Sequence, residues 1–249
     1  MFRLELSNVD LLKNTIPAIA EIIDEGVFKV DQNGVNFLMP DRAMVAVVDL
    51  KILSTAFDNY KVDAEESLGL NLANLVAVLK RAKGTDKMVM ESDGKSNRLK
   101  ITIQGSGTRV FEIPLIDIKA EKPPVDQLNF TTKVELQPGI FDEGIEDADV
   151  IGDSVILEAA DKTFKMYAKG EISSAELAIK EGDKGLLGIS TNGNMKARYP
   201  IEYLKKMSKV SKASKNLVLE FGTDYPLRLS FTALDKMSLK FVLAPRVEE

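Results

Sequence analysis

The sequence predicts an α+β protein of two similar domains, each with two helices packed on antiparallel sheets. Three observations support this prediction: an internal repeat, four amphipathic windows with helical spacing, and many short alternating stretches separated by turns. The length of 249 residues agrees with it, because at roughly 150 residues per domain the chain has room for one large domain or two smaller ones.

The repeat is a helix-then-strand pattern that recurs 129 positions along the chain. The first copy comprises Leu72, Leu75, Leu79, Lys80 and residues 88–90, and the second comprises Ile201, Leu204, Ser208, Lys209 and residues 217–219. Between the two halves, residues 119–129 are polar and include Pro123 and Pro124, as expected of a surface crossing. We therefore expect an N-terminal domain over residues 1–118, a connector over 119–129 and a C-terminal domain over 130–249.

The four helical windows are residues 9–23, 71–83, 138–149 and 200–212. In the first window, apolar residues follow one another at spacings of three and four, which places them on one helix face. Pro138 and Pro200 stand where the third and fourth helices begin, and a proline in the first turn is tolerated because its missing N–H would have no partner there.

The strand predictions rest on alternation of apolar and polar residues. They cover residues 27–30, 45–50, 87–90, 99–104, 155–158, 176–180, 217–221 and 227–232. Turn sequences separate them, including Gln32-Asn33-Gly34, Ser92-Asp93-Gly94 and Asn192-Gly193-Asn194. Gly105-Ser106-Gly107 lies between two predicted strands and not between a strand and a helix, so it indicates a hairpin and not a phosphate-binding loop.

The composition excludes several kinds of chemistry. The chain has no cysteine and no histidine, so a disulfide, a Cys/His zinc site, a cysteine nucleophile and a Ser-His-Asp triad are all impossible. An enzyme would have to rely on carboxylate pairs such as Asp147 and Asp149, without a histidine to work near neutral pH. We expect neither enzymatic activity nor a cofactor.

The start of the chain lacks the apolar core of a signal peptide, and the apolar run that contains residues 44–48 is far too short to cross a bilayer. We expect a soluble intracellular protein without a membrane role, located in the cytoplasm of a prokaryote or the nucleus of a eukaryote.

Charge is unevenly distributed on the helices. The overall net charge is −5, which taken alone argues against a nucleic-acid-binding protein. However, a lysine stripe runs along the fourth window, and Lys80, Arg81 and Lys83 end the second. The third window instead carries an acidic stripe. A charged helix face is most often only a solvated surface, but here basic residues recur at matching positions of both halves.

Short motifs along essentially the whole chain resemble one known family. They are Gly34-Val35-Asn36 with Asp41 and Val45, Phe57-Asp58-Asn59-Tyr60, Gly69-Leu70-Asn71-Leu72 with Leu79-Lys80, Pro114-Leu115-Ile116-Asp117, Ile151-Gly152-Asp153-Ser154, Tyr225-Pro226-Leu227, and Leu243-Ala244-Pro245-Arg246-Val247-Glu248-Glu249. In order and spacing, this set is similar to the sliding clamps of the proliferating cell nuclear antigen (PCNA) family, in their archaeal form.

The resemblance implies the DNA clamp fold, in which three protomers close a ring, helices line its hole and sheets form its outside. It implies a processivity factor of DNA replication and repair that encircles double-stranded DNA without reading its sequence. The implied partners are a clamp loader, DNA polymerase and other enzymes that carry clamp-binding peptides. Self-association as a trimer is implied as well.

Residue by residue, the resemblance implies three surfaces. The DNA-facing side chains would be Lys13, Lys80, Arg81, Lys83, Lys205, Lys206, Lys209 and Lys212. The partner-peptide pocket would be formed by Met44, Val45, Val47, Val125, Leu128, Pro226, Val242, Ala244 and Pro245. The protomer interface would pair residues 106–113 with residues 171–180 of a neighbour, through Thr108, Val110, Phe111, Ile113, Ala175, Leu177 and Ile179.

Two features depart from the family pattern. Pro40 stands where the family usually has Met, with Met39 displaced by one position. The third helix is acidic through Asp142, Glu143, Glu146 and Asp147, and Glu143 and Glu146 stand where family members often carry basic residues. Two alternatives therefore stay open beside a homotrimeric clamp: an α+β scaffold that does not bind DNA, and one subunit of a mixed clamp ring.

Overall fold

The α+β class predicted from the sequence is confirmed in a computed structural model that describes residues 1–119 and 123–246. Part of the predicted connector 119–129 and the last three residues of the motif that begins at Leu243 lie outside the described residues. The helices of the described chain are α1 (Asp10–Ala20), α2 (Leu72–Leu79), α3 (Pro138–Asp149) and α4 (Ile201–Ser208).

The chain divides into two compact units. The first comprises Met1–Arg42, Val48–Pro123 and Ala233–Leu239, and the second comprises Ala43–Val47, Pro124–Thr232 and Lys240–Glu249. Each unit contains one pair of helices that pack against each other, α1 with α2 and α3 with α4.

Nine strands precede the connector: β1 (Phe2–Leu6), β2 (Glu25–Asp31), β3 (Gly34–Pro40), β4 (Ala46–Leu53), β5 (Asn59–Val62), β6 (Glu66–Asn71), β7 (Lys87–Ser92), β8 (Arg98–Gln104) and β9 (Thr108–Pro114). In the first unit, one sheet has the order β5-β1-β7-β8-β9, and β4, β3, β2 and β6 lie side by side in another. The predicted hairpin around Gly105 is present, since β8 and β9 pair antiparallel from Gln104 opposite Thr108.

Nine strands follow the connector: β10 (Thr132–Leu136), β11 (Ser154–Ala160), β12 (Thr163–Lys169), β13 (Ser174–Lys180), β14 (Leu186–Thr191), β15 (Met195–Pro200), β16 (Leu217–Phe221), β17 (Leu227–Ala233) and β18 (Met237–Leu243). In the second unit, one sheet has the order β13-β12-β11-β15. A different sheet contains, side by side and in this order, β14, β10, β16, β17 and β18.

The core of the second unit lies between helices and sheets. Phe141 and Ile145 of α3 are almost completely buried, and α3 packs on β11, β12 and β13. The contact is close at Gly144, where an added Cβ would lie 2.6 Å from the Sδ atom of Met166 on β12. Because fully burying a large apolar side chain stabilises by about 1.5–3 kcal/mol, this helix face holds α3 firmly on the sheet.

Three predicted helices are shorter than their sequence windows: α1 ends at Ala20 and not at residue 23, and α2 and α4 end earlier still relative to theirs. The Asn71 side chain caps α2 by accepting a hydrogen bond from the Asn74 N–H at 3.2 Å, but the helix ends at Leu79 and not at residue 83. Beyond α4, residues Lys209–Ala213 form a 3₁₀ helix. There the Ser211 hydroxyl donates to the Ser208 carbonyl at 2.6 Å, and such local side-chain bonds compete with regular α-helical pairing.

Several strands, β1 and β3 among them, were not among the predicted stretches, although Phe2-Arg3-Leu4-Glu5-Leu6 of β1 alternates apolar and polar residues. Four of the five residues of β1, Glu5 included, are buried. None of the described helices is long and apolar enough to span a membrane.

Candidate functional site

Three exposed cations follow α2 in a turn that is held by a buried carboxylate. Lys80 caps the helix, and Arg81 and Lys83 lie just beyond it, where cations interact favourably with the helix dipole. Asp86, which is 3% exposed, accepts hydrogen bonds from the Lys83 N–H at 3.0 Å and from the Arg109 guanidinium at 2.7 Å. Arg109 also donates to the Arg81 carbonyl at 2.8 Å. The basic turn is therefore anchored to β9.

The pairing of Asp86 with Arg109 was not found by sequence reasoning. The two residues are separated by 23 positions, and no motif marks either of them. The only signal in the sequence is an aspartate directly before the apolar strand β7.

Lys13 on α1 is half-buried, and its ammonium donates to the Ala82 carbonyl at 2.6 Å. It therefore joins α1 to the turn after α2 within the first unit. An ammonium has three N–H donors, so this contact leaves donors for a phosphate.

Two lysines of α4 are paired with carboxylates of the same unit. Lys205 lies 2.6 Å from the Asp149 carboxylate at the end of α3. Lys206 lies 2.6 Å from Glu202 one turn earlier and 5.5 Å from the ring centre of Tyr203. Because exposed ion pairs contribute only about 0–1 kcal/mol and are screened by salt, a DNA phosphate could compete for either lysine.

Lys209 and Lys212, in the 3₁₀ helix after α4, are exposed and border a cleft of about 310 Å³ between α3 and the end of α4. On the α3 side the cleft is lined by Asp142 and Glu146. The half-buried Asp142 accepts a hydrogen bond from the Ser211 hydroxyl at 3.1 Å, and burial raises the pKa of its carboxyl. In this unit the lysine stripe and the acidic stripe thus lie side by side.

The residues of the predicted peptide pocket all lie in the second unit. Met44 is 74% exposed with a left-handed backbone, and the Ala244 N–H donates to the Val45 carbonyl at 2.9 Å. Val242 is buried. The half-buried members are Val45, Val47, Val125, Leu128, Pro226, Ala244 and Pro245. We call these nine residues the apolar groove.

Met39 and Pro40 lie outside this unit, at the end of β3.

A buried tyrosine holds the loop that carries Pro226. Tyr199 is completely buried, and its hydroxyl donates to the Tyr225 carbonyl at 2.7 Å. Burial raises the pKa of Tyr199, so the hydroxyl stays protonated and keeps this bond. The Tyr225 hydroxyl in turn accepts from the Asn129 N–H at 3.2 Å, which ties the loop to the segment after Leu128.

We expect Tyr199→Phe to lower the free energy of unfolding by about 1–2 kcal/mol, because the Tyr225 carbonyl loses a buried donor. Urea denaturation measures this effect. Tyr60→Phe is the matched control, since the Tyr60 hydroxyl donates to the Asp31 carbonyl at 2.6 Å in the first unit. Only Tyr199→Phe should also weaken peptide binding, and equal peptide affinity for both variants would contradict a role of Tyr199 in the groove.

The predicted protomer-interface strands β9 and β13 both lie at the end of a sheet. Within the described chain, β9 pairs with β8 and β13 pairs with β12. Each has seven residues, and they share one burial pattern, in which only the sixth residue, Ile113 or Ile179, is fully buried. Val110 on β9 is 54% exposed. Long edges with exposed apolar residues are suited to pairing with another chain.

No group of three or more His, Cys, Asp or Glu side chains that could hold a metal ion occurs among residues 1–119 and 123–246.

Comparison with known families finds two matches that together cover nearly the whole chain. The N-terminal domain of proliferating cell nuclear antigen matches residues 1–122, and the C-terminal domain of the same family matches residues 124–246.

Sequence and structure relatives agree with these matches. The DNA polymerase sliding clamp of Pyrococcus abyssi is 35% identical over 234 residues, which are 94% of each chain. DNA polymerase sliding clamp 1 of Thermococcus kodakarensis is 34% identical, again over 94% of each chain. Among solved structures, PCNA from Thermococcus kodakaraensis superposes with a TM-score of 0.93 at 26% identity, over 99% of this chain and 100% of that one. The PCNA2–PCNA3 complex from Sulfolobus tokodaii gives 0.91 at 27% identity, with the same coverage.

Proposed function

The chain belongs to the proliferating cell nuclear antigen family, and on that basis we propose that it acts as a DNA polymerase processivity clamp. The observation that carries the proposal is the match of both family domains, in order, over residues 1–122 and 124–246. The protein is a non-enzymatic scaffold: it encircles duplex DNA and binds DNA polymerase. Within it we propose domain limits of 1–118 and 130–249, with 119–129 as the connector.

We assign DNA attraction to the basic turn after α2, to the lysines of α4 and to those of the 3₁₀ helix that follows it. Contacts from lysine and arginine to phosphates attract duplex DNA without reading its bases, as a sliding ring requires. Lys80, Lys209 and Lys212 are all exposed and supply the clearest charges for this role. Because the sliding-clamp relatives come from archaea, we propose that the protein is located with the DNA in the cytoplasm.

Charge complementarity supports pairing of β9 with β13 of a neighbouring copy. The basic turn is bonded to β9 through Arg109, while the acidic helix α3 packs on β13. Head-to-tail pairing of the two edges brings Arg81 and Lys83 of one copy towards the carboxylates of α3 in the next. Such complementarity fixes orientation and excludes wrong partners. This proposal gives the acidic helix a role in assembly and not in DNA binding.

A trimer of one chain type is the assembly we propose. The PCNA2–PCNA3 complex among the relatives joins two different subunits, so a mixed ring is the competing outcome of an assembly measurement.

Peptide capture tests the proposed function directly. We expect Met44→Asp and Val125→Asp to abolish binding of a peptide with aliphatic and aromatic anchors, because losing a central apolar contact commonly costs about 2 kcal/mol or more. Both variants should also lose stimulation of polymerase on a primed circle. Leu234→Asp is the matched control, since Leu234 is 88% exposed but lies in the first unit. Full activity of both groove variants would place the partner site elsewhere.

A further inference from the structure

A second cleft in the same unit lies beside the apolar groove and is rich in cations. Its volume is about 290 Å³, and it is lined by Ile156, Lys196, Ala197, Arg198, Thr223, Asp224 and Arg246. We call it the cationic cleft. It was not found by sequence reasoning, because its lining comes from β11, β15, the loop before β17 and the segment after β18.

The backbone builds this cleft along the edge of β15. The Asp224 N–H donates to the Lys196 carbonyl at 3.2 Å, and the Arg246 N–H donates to the Arg198 carbonyl at 2.7 Å. Two different segments thus bond to the same strand edge at residues two positions apart, and the cleft lies where they meet. Asp224 has a left-handed backbone, which turns the loop over the strand.

The lining of the cleft has more cations than carboxylates. Its lining carries three cations, Lys196, Arg198 and Arg246, against one carboxylate, Asp224. Arg246 also lies 2.6 Å from the carboxylate of Asp153, a residue outside the lining. This contact holds the pKa of the Asp153 carboxyl below its usual range. Lys196 is exposed, and its ammonium lies 5.9 Å from the ring centre of Tyr167.

A further carboxylate, Glu158, stands opposite Lys196 in the pairing of β11 with β15. It accepts a hydrogen bond from the Tyr167 hydroxyl at 3.0 Å.

The cationic cleft and the apolar groove share two chain segments. Thr223 and Asp224 directly precede Tyr225 and Pro226, and Arg246 directly follows Pro245. A peptide lying in the groove therefore passes close to the cleft, and a side chain next to its apolar anchors can enter it.

We infer that the cationic cleft is a specificity subsite that takes the carboxylate of a glutamate or aspartate flanking the apolar anchors of a partner peptide. The inference rests on the proposed function, because the peptide is held by the apolar groove. Lys196 is the main contact, since its ammonium is exposed and charged, and Asp224 limits the attraction. A neutral or basic residue at the same peptide position would be less favoured.

Fluorescence anisotropy with a peptide series tests this inference on the full-length protein. Each peptide carries aliphatic and aromatic anchors, and one flanking alanine at a time is replaced by Glu, Gln or Lys. At one flanking position we expect Glu to bind about three- to five-fold more tightly than Gln at low salt, the range of exposed charge pairs. The preference should shrink as salt rises.

Three variants identify the residue that reads the charge. Lys196→Ala should remove the preference for Glu, Lys196→Glu should reverse it in favour of Lys, and Asp224→Asn should increase it. Lys133→Ala is the control, because Lys133 is an exposed lysine on β10 outside the cleft, and it should leave the preference unchanged.

The outcomes separate this inference from the function on which it rests. If all peptides bind equally well, or if Glu is preferred equally by the parent and both Lys196 variants, the carboxylate subsite is wrong while the apolar groove stands. If no peptide binds at all, the groove itself is wrong and the subsite fails with it.

Discussion

Val110→Asp is expected to convert the assembled protein from a trimer to a monomer. Three chains of 27.4 kDa give 82.2 kDa, and static light scattering at micromolar concentration measures the change to 27.4 kDa. Val110 is 54% exposed on the edge strand β9, so the substitution should not disturb the folded chain. In the ring, however, it would place a carboxylate between two paired strands, and charges at such positions block edge pairing.

Leu187→Asp is the matched control for this measurement. Leu187 is 47% exposed and also lies on an edge strand, β14, but it belongs to neither proposed interface strand. Its substitution should leave the mass at 82.2 kDa. If Leu187→Asp dissociates the assembly and Val110→Asp does not, β9 is not the interface.

Charge reversal examines the same interface from the side chains that flank it. Arg81→Glu with Lys83→Glu should weaken the trimer, and so should Glu143→Lys with Asp147→Lys on α3. All four substitutions in one chain should restore assembly, because the reversed charges again face each other. A parent chain that stays monomeric at high micromolar concentration would instead require a second subunit type and favour the mixed ring.

The sequence predicted the two-part organisation well because each half has its own helical periods and turn sequences. Val9, Leu12, Ile16 and Ile19 are all buried on α1 as their spacing indicates. The end of α4 was less predictable. The apolar period continues through Val210, which is buried in the 3₁₀ helix, so periodicity alone does not distinguish the two helix types.

The surfaces were harder to predict than the fold, since they combine residues that are distant in the chain. The pairing of Asp86 with Arg109 joins a turn to an edge strand. No sequence pattern around either residue indicates that the other is its partner. Likewise the cationic cleft needs Lys196, Asp224 and Arg246 together. The acidic stripe of α3 was visible in the sequence, but the packing of α3 on β13 was not. The sequence therefore showed that the stripe would repel DNA, but not that it could act in assembly.

We expect the protein to be retained on closed circular DNA after loading, even at high salt, and to be released when the circle is cut. A protein that held DNA by surface charge alone would lose affinity steeply with salt, by about 0.9 in the logarithmic slope for each phosphate contact. A closed ring is held by topology, which salt does not screen. Gel filtration of loaded plasmid before and after linearisation measures the difference.

Replacing Lys80, Lys209 and Lys212 with Ala should lower loading efficiency and the length of polymerase products while the mass stays at 82.2 kDa. These lysines attract DNA before the ring closes, and their loss removes phosphate contacts that favour entry. Lys51, Lys133 and Lys236 are exposed lysines outside the helices, and their replacement with Ala changes the net charge of −5 by the same amount. It should leave loading unchanged.

Retention by the closed ring and attraction by the three lysines can fail separately. If both triple variants load equally well, Lys80, Lys209 and Lys212 are only a solvated face, and encirclement by the ring stands without them. If retention is lost at high salt although the circle is closed, or if cutting the circle releases nothing, charge and not topology holds the protein on DNA. In that case sliding would rely on electrostatic attraction to phosphates, which weakens steeply as salt rises.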